Sequence, residues 1–449
     1  MRKSALHPFP QAGHFMSPIR PILLRLLAAV LVLFAALPAQ AFCGFYVARA
    51  DGSLYNRSSK IVFVRDGDRS VITMSSDYQG PVAEFAMIVP TPSVLPRKNV
   101  TTVPTKTVDH LDSYTAPRLV EYFDPDPCGG APVFEEAPVV EKACGIFGCG
   151  GREEKTRRDG ARALGVRIIS EYAVGIYDIQ ILSAKQSDGI VTYLQGEGYK
   201  LPEGAADALQ GYIGMGMKFF VAKVNLTRHA AGKVQELEPL QISFRSRDFM
   251  LPLQLGKVNG DGPQDLLVMT MTRKGRTTLA NYSLDDIPTD KEIPVFVKDM
   301  FPQFYRAMFT RAAKGSGAFL EYAWDMSWCD PCAADPLTYD EFRALGVGWV
   351  RPATASVPDV FVTRMHIRYD RNSFYQDLMF RETDNRDNFQ GRYILNHPFD
   401  GKITCDAKDY IKATRERIRD EAATLRLLTG WNPDKIAQQI ARTVPQRYR

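Results

Sequence analysis

Lys60-Ile61-Val62-Phe63-Val64-Arg65-Asp66-Gly67-Asp68-Arg69-Ser70-Val71-Ile72-Thr73-Met74 consists of two apolar, β-branched runs joined by Asp-Gly. This is the strongest short-range hairpin signal, because glycine takes the positive φ of a tight turn at no steric cost. Outward from it, Cys43-Gly44-Phe45-Tyr46-Val47-Ala48 reads as a strand, and so does Phe85 to Val89, which Pro90-Thr91-Pro92 stops. Consecutive strands linked by short turns predict antiparallel sheet.

The same reading continues along the chain. Strands are expected over Val166 to Leu182, Lys218 to Val224, Leu240 to Phe244, Leu251 to Val258, Asp265 to Thr272, Thr277 to Ser283 and Phe319 to Trp324. Phe361 to Tyr369 alternates and is expected to pair with Tyr375 to Arg381. Helices are expected from Asp188 to Gly196, from Glu203 to Ile213 and from Pro302 to Gly315. Another begins at the capping box Thr338-Tyr339-Asp340-Glu341, whose side chains and backbone can satisfy each other's free N–H groups. The chain ends in helices: Ile411, Ile418, Ala422 and Leu425 form a stripe, Gly430 stops it, and Asn432-Pro433 restarts as cap and first residue. No repeat is present, which argues against a propeller or solenoid. The expected class is α+β, predominantly antiparallel sheet with interspersed helices and a helical C-terminus, stapled by disulfides.

Arg2, Lys3, Arg20 and Arg25, then the apolar run Leu26 to Leu37, then Pro38-Ala39-Gln40-Ala41 have the order of a secretory signal peptide cleaved after Ala41, with Met16 an alternative start. The expected organisation is a signal over 1–41, a β-rich region over 42–300 with a linker or insert at 124–160, and an α+β region over 301–449. Processing would remove four basic and no acidic side chains, leaving 52 basic and 51 acidic groups. Such a balance gives no electrostatic footprint for nucleic acid. No segment after residue 41 is apolar enough to span a bilayer. Localisation is expected to be periplasmic or extracellular.

Several motifs of this chain resemble those of one family: Cys43 to Ala48, the hairpin from Val62 to Asp77, Asp109-His110-Leu111-Asp112-Ser113-Tyr114-Thr115-Ala116-Pro117-Arg118-Leu119, Asp124-Pro125-Asp126-Pro127-Cys128 and Trp328-Cys329-Asp330-Pro331-Cys332. In this order they look like the exported bacterial family catalogued as domain of unknown function number 2330. The resemblance implies bacterial export and a shared architecture. It brings no activity, substrate, cofactor or catalytic residue. Cys144 and Cys149 fall in a Gly-rich insert that resembles an addition to that pattern.

All seven cysteines, Cys43, Cys128, Cys144, Cys149, Cys329, Cys332 and Cys405, follow the signal. In an oxidising compartment they are structural disulfide candidates, and an odd count leaves one over. The Cys329-x-x-Cys332 pair beside Trp328 also resembles a thioredoxin-type redox motif, with Cys329 the attacking thiol and Cys332 the resolving one. The helix that would activate Cys329 is delayed to Thr338, so disulfides local to the pair, or to Cys43, Cys128 or Cys405, are the favoured reading. His110 with Asp112 is a candidate acid/base pair for a hydrolase, weighed against aspartates on a helix surface. Lys257 to Leu266 resembles a calcium loop, but a lysine holds the first ligand position, so it reads as a hairpin loop. No metal and no cofactor are expected. The function expected is a non-catalytic binding or envelope-associated protein whose partner is an unknown protein or envelope ligand. Loops such as Tyr369 to Arg371 with Phe374-Tyr375 suit recognition.

Overall fold

The computed structural model describes residues 45–49, 55–79, 85–129, 165–225, 227–228, 237–258, 262–328, 330, 335–351 and 359–449. They all fall within one compact unit, Ala39–Arg449. Nine strands form the main sheet: β1 (Tyr55–Asp66), β2 (Arg69–Gln79), β3 (Val100–Thr102), β4 (Leu240–Arg245), β5 (Gln264–Thr272), β6 (Asp285–Asp286), β7 (Gly317–Asp325), β8 (Phe361–Tyr369) and β9 (Phe389–Gln390). Their order is β6-β7-β8-β5-β1-β2-β4-β3, with β9 also paired to β7. The opening hairpin is β1 and β2, and Gly67 turns it at φ 60°. Most pairs are antiparallel, but β1 with β5 and β6 with β7 are parallel.

A second sheet of six antiparallel strands runs 166–174, 177–184, 218–224, 85–91, 45–49 and 199–200. Strand periodicity makes these sheets stack. Ile61, Phe63, Leu266, Val268 and Ile367 point from one face of the main sheet into a core shared with Val89, Ile179, Ile181 and Phe220 of the smaller one. Helices cover both outer faces. The smaller sheet carries α2 (Ser187–Gly196) and α3 (Ala205–Gly214) over Ile88 and Val221. On the main sheet, α1 (Thr105–Thr115) lays Val108, Leu111 and Tyr114 on Val62 and Met269. Beside it, α5 (Phe301–Ala313), α7 (Lys408–Thr429) and α8 (Pro433–Thr443) enclose Phe319. Two short helices, α4 (Gln254–Lys257) and α6 (Tyr339–Ala344), complete the set.

The α+β class and the helical C-terminus are as the sequence reads. Thr338 and Glu341 close their capping box, and the Asn432 side chain accepts from the Asp434 and Lys435 backbone N–H groups. Two expectations fail. β8 pairs with β5 and β7, while residues 378–382 pair with 277–279 and 250–251. Leu251 to Val258 is α4 after a two-residue strand. Pairing is decided by distant partners, which alternation within one segment does not encode.

Candidate functional site

β8 is buried at all nine positions, although every second residue from Arg364 to Arg368 is polar. Its apolar set faces the core between the sheets, so Arg364, His366 and Arg368 project together beneath α1 and α5. Glu321 meets them from β7. The register of β7 against β8 shifts between Leu320 and Tyr322, which marks a bulge at Glu321. Bulges re-aim a side chain, and this one delivers a carboxylate with 1 % of the residue exposed.

The result is a continuous line of alternating charge. Lys60 Nζ lies 2.8 Å from Asp112 and 3.2 Å from Asp109. Arg364 Nη1 donates to Asp112 at 2.5 Å, and its Nε donates to Glu321 at 2.6 Å. The second Glu321 oxygen accepts from His366 Nδ1 at 2.7 Å and from the Tyr305 hydroxyl. His366 Nε2 stands 3.5 Å from Asp265, which takes both Nε and Nη2 of Arg368 at 2.7 and 2.6 Å. Phe309 stacks on the His366 ring at 3.6 Å.

Electrostatics fix the protonation states. Burial alone would raise the Glu321 pKa, but His366 and Arg364 outweigh it and hold the carboxyl at about 2. Burial likewise opposes the charge on His366, yet Glu321 and Asp265 lift its pKa above the usual value. Burial would also raise Asp265, whose pKa Arg368 and His366 nevertheless drive far down. Four cations therefore meet four carboxylates, with Glu321, Arg364 and His366 buried. A substrate could not reach the Glu321 carboxylate without parting α1 and α5 from the sheet. The arrangement can hold three elements together, and breaking such a pair one-sidedly costs about 3–5 kcal/mol.

Of the Trp328-to-Cys332 pentad, the structure describes Trp328 and Asp330, which follow the end of β7. Asp330 points inward with 1 % of its side chain exposed. It accepts from Tyr322 Oη at 3.1 Å and Gln390 Nε2 at 3.0 Å, with Arg118 Nη2 at 3.6 Å. Trp328 is 69 % exposed, and its carbonyl accepts from Trp324 Nε1 at 3.2 Å. Cys329, Pro331 and Cys332 lie outside the described residues. The chain returns at Asp335, whose carbonyl accepts from His110 Nε2 at 2.8 Å. His110 Nδ1 reaches Glu341 at 2.8 Å. Both partners are acceptors, so both ring nitrogens carry hydrogen and His110 is an imidazolium. Burial opposes that charge, but Glu341 and the Asp335 carbonyl outweigh it and raise the pKa. His110 and Asp112 are not joined: residues two apart on a helix face different ways, and Asp112 serves Lys60 and Arg364 instead.

A family model described as an uncharacterized protein conserved in bacteria, DUF2330, matches residues 37–381. The chain belongs to that family. No curated protein and no solved structure matches. The matched DUF2330 segment contains the charged line and the pentad, and it ends before α7, α8 and Cys405.

Cys128 and Cys405 form a disulfide across 277 residues, tying the segment after the 118–123 strand to the approach of α7. Each is thereby removed as a partner for Cys329 or Cys332. Cys43, Cys144 and Cys149 lie outside the described residues. Next to the bridge, Asp124 accepts from Tyr410 Oη at 2.7 Å and from Arg417 at 3.1 and 2.8 Å. Glu421, one turn further along α7, is buried; burial raises its pKa to about 8, although Arg417 pulls the other way. Among the described residues no group of three or more His, Cys, Asp or Glu could hold a metal ion, and no helix is long and apolar enough to cross a membrane.

In the calcium-like loop, Lys257 is buried and donates to the Phe374 carbonyl at 3.2 Å, while residues 259–261 lie outside the described set. Of the aromatics read as a recognition loop, Tyr369 and Phe374 are core, and Tyr375 is 78 % exposed. An open cleft lies elsewhere. It is a trough of about 670 Å³ between α7 and α8, with Ile418, Ile436 and Ile440 as its floor. Sequence reading found the apolar stripe of α7 but missed this trough. The signal was present in Arg415, Arg419 and Arg426, spaced along one helix face.

Proposed function

We propose that the protein is exported, with its signal removed after Ala41, and that it acts in the periplasm or outside the cell by binding a partner without turning over a substrate. One contrast carries the reading. The interior charges are consumed in mutual pairing, whereas the α7–α8 trough presents cations that have no carboxylate partner among the described residues. The Cys128–Cys405 bridge supports export, since such bonds persist in oxidising compartments. The double engagement of His110 favours binding over hydrolysis, because an imidazolium held by two acceptors is not available as a base.

The test combines cell fractionation, N-terminal sequencing and an unbiased substrate screen. A chain beginning at Phe42 in the periplasm or medium, with no turnover that His110→Ala abolishes, agrees with the proposal. A cytoplasmic chain that retains residues 1–41, or turnover lost in His110→Ala, contradicts it.

The second reading is a thiol-disulfide oxidoreductase at Cys329 and Cys332. What favours it is that Cys128 and Cys405 are paired with each other, so two of the three distant partners expected for the pentad are taken. Peptide mapping under non-reducing conditions decides: a Cys329–Cys332 bond opened readily by glutathione supports redox work, and a bond from either residue to Cys43 opposes it.

A further inference from the structure

We propose that the trough between α7 and α8 is the docking site for an acidic amphipathic helix of a partner protein. The inference rests on the binding reading above and names its occupant. Arg415, Arg419 and Arg426 lie at i, i+4 and i+11 along α7, and Arg449 closes the far side. All four are exposed. Three of them donate to backbone carbonyls: Arg415 to Arg447 at 2.9 Å, Arg419 to Arg415 at 3.2 Å and Arg449 to Val444 at 2.7 Å. The salt bridges formed by α7 pair Lys408 with Asp406, just before the helix, and Arg417 with Asp124 and Glu421. No Asp or Glu side chain lines the trough.

Shape selects the helix among anionic occupants. Between the cations lie Ala422, Ala423, Ala437 and Ala441, so two helices leave a shallow channel where a third backbone can come close. An acyl chain gains most from enclosure on all sides, and this channel is open along its length. A helix seated in it would lie beside a row of positive charge extending about 16 Å, the rise of eleven helical residues. Complementarity then specifies the partner: small or apolar residues on one face, flanked by Asp or Glu at i, i+4 and i+11.

The experiment is fluorescence anisotropy of a labelled synthetic peptide of about 18 residues, long enough to be helical, carrying Glu at that spacing beside an Ala/Leu face. It is titrated with the full exported chain. Saturable binding that weakens about tenfold between about 50 and about 300 mM salt is expected, because the pairs are exposed and screened. Arg419→Glu with Arg426→Glu should lose about tenfold or more, at roughly fivefold per pair lost, and a Lys-for-Glu peptide should restore binding to that variant. Ala437→Trp, which fills the channel and leaves every charge in place, should also lose binding. A peptide that does not saturate, or that binds the charge-reversed variant as well as the original, overturns the proposal. Vesicles of phosphatidylglycerol and phosphatidylcholine form the second arm. Vesicle binding that the charge reversal abolishes, with no peptide binding, overturns the helix while leaving the binding reading standing; failure of both arms removes the two together.

Discussion

Arginine is used in opposite ways on β8 and on α7. Arg364 and Arg368 each have a carboxylate within 2.7 Å and are buried. Arg419 and Arg426 are exposed and meet no carboxylate among the described residues. The side chain is the same, so the difference comes from what surrounds it. Removed from water, a guanidinium must be paired or the fold cannot tolerate it. At the surface it costs nothing to leave open, and an open cation is available to something else. Composition counts both kinds alike; only the partners distinguish a charge that holds the fold from one that can recognise.

The sharpest way to break this comparison is Glu321→Ala. It strands Arg364 and His366 without their shared carboxylate, and urea unfolding should show a loss of about 3–5 kcal/mol. A loss below about 1 kcal/mol would mean that the line is not holding the sheet to α1 and α5. Next comes Cys128→Ser with Cys405→Ser, which releases a closure of 277 residues. Unfolding without reductant should show a loss of about 2–5 kcal/mol, matched by the original chain in dithiothreitol.

Glu421 offers a gain. Its folded pKa of about 8 lies above the 4.5 of an ordinary glutamate. The folded protein therefore holds this proton more tightly than the unfolded chain, and the group costs stability as pH rises from about 4.5 through about 8. Glu421→Gln should raise stability by about 2 kcal/mol at pH 8 and by nothing at pH 4, read as denaturation midpoints. The smallest stability effect belongs to the link between His110 and Glu341. A raised histidine pKa gives stabilisation that is complete below the unfolded value, about 6.5, and lost as pH climbs through the folded one. Glu341 is buried enough to raise its pKa, but Thr338 and His110 outweigh that and lower it, so its share is present above the unfolded carboxylate value and lost on acidification through the folded one. His110→Ala should cost about 1 kcal/mol near pH 6, and the two proteins should converge at high pH.

Much of the local structure was legible. Asp66-Gly67 announced the hairpin, Thr338 to Glu341 announced α6, and Asn432-Pro433 announced α8, because each signal lies within a few residues. The partners of β8 were not legible, since Phe361 to Tyr369 alternates equally well for any neighbour. The charged line was hidden for a related reason. Arg364, His366 and Arg368 read as the wet face of a strand, and Glu321 reads as one polar residue in an apolar run. That they meet depends on a bulge in β7 and on two helices far away in sequence: Arg364 finds Asp112 of α1 across 252 residues, and Arg368 finds Thr310 of α5 across 58. His110 and Asp112 drew notice through adjacency in sequence, yet the helix sends them to different partners. Asp330, between the two cysteines in sequence, drew no notice, yet it accepts from Tyr322 and Gln390 in the interior; its partners lie 8 and 60 residues away, which its neighbours in sequence do not announce.

The most direct measurement compares the two regions in one pair of proteins, Glu321→Ala and Arg419→Glu/Arg426→Glu, each followed by urea unfolding and by titration with the acidic helical peptide. The account predicts that the first variant loses about 3–5 kcal/mol of stability, while the second stays within about 0.5 kcal/mol of the original and loses the peptide. A charge-reversed variant that unfolds as readily as Glu321→Ala, or that still binds the peptide as the original does, would contradict the division between charges that hold the fold and charges that recognise.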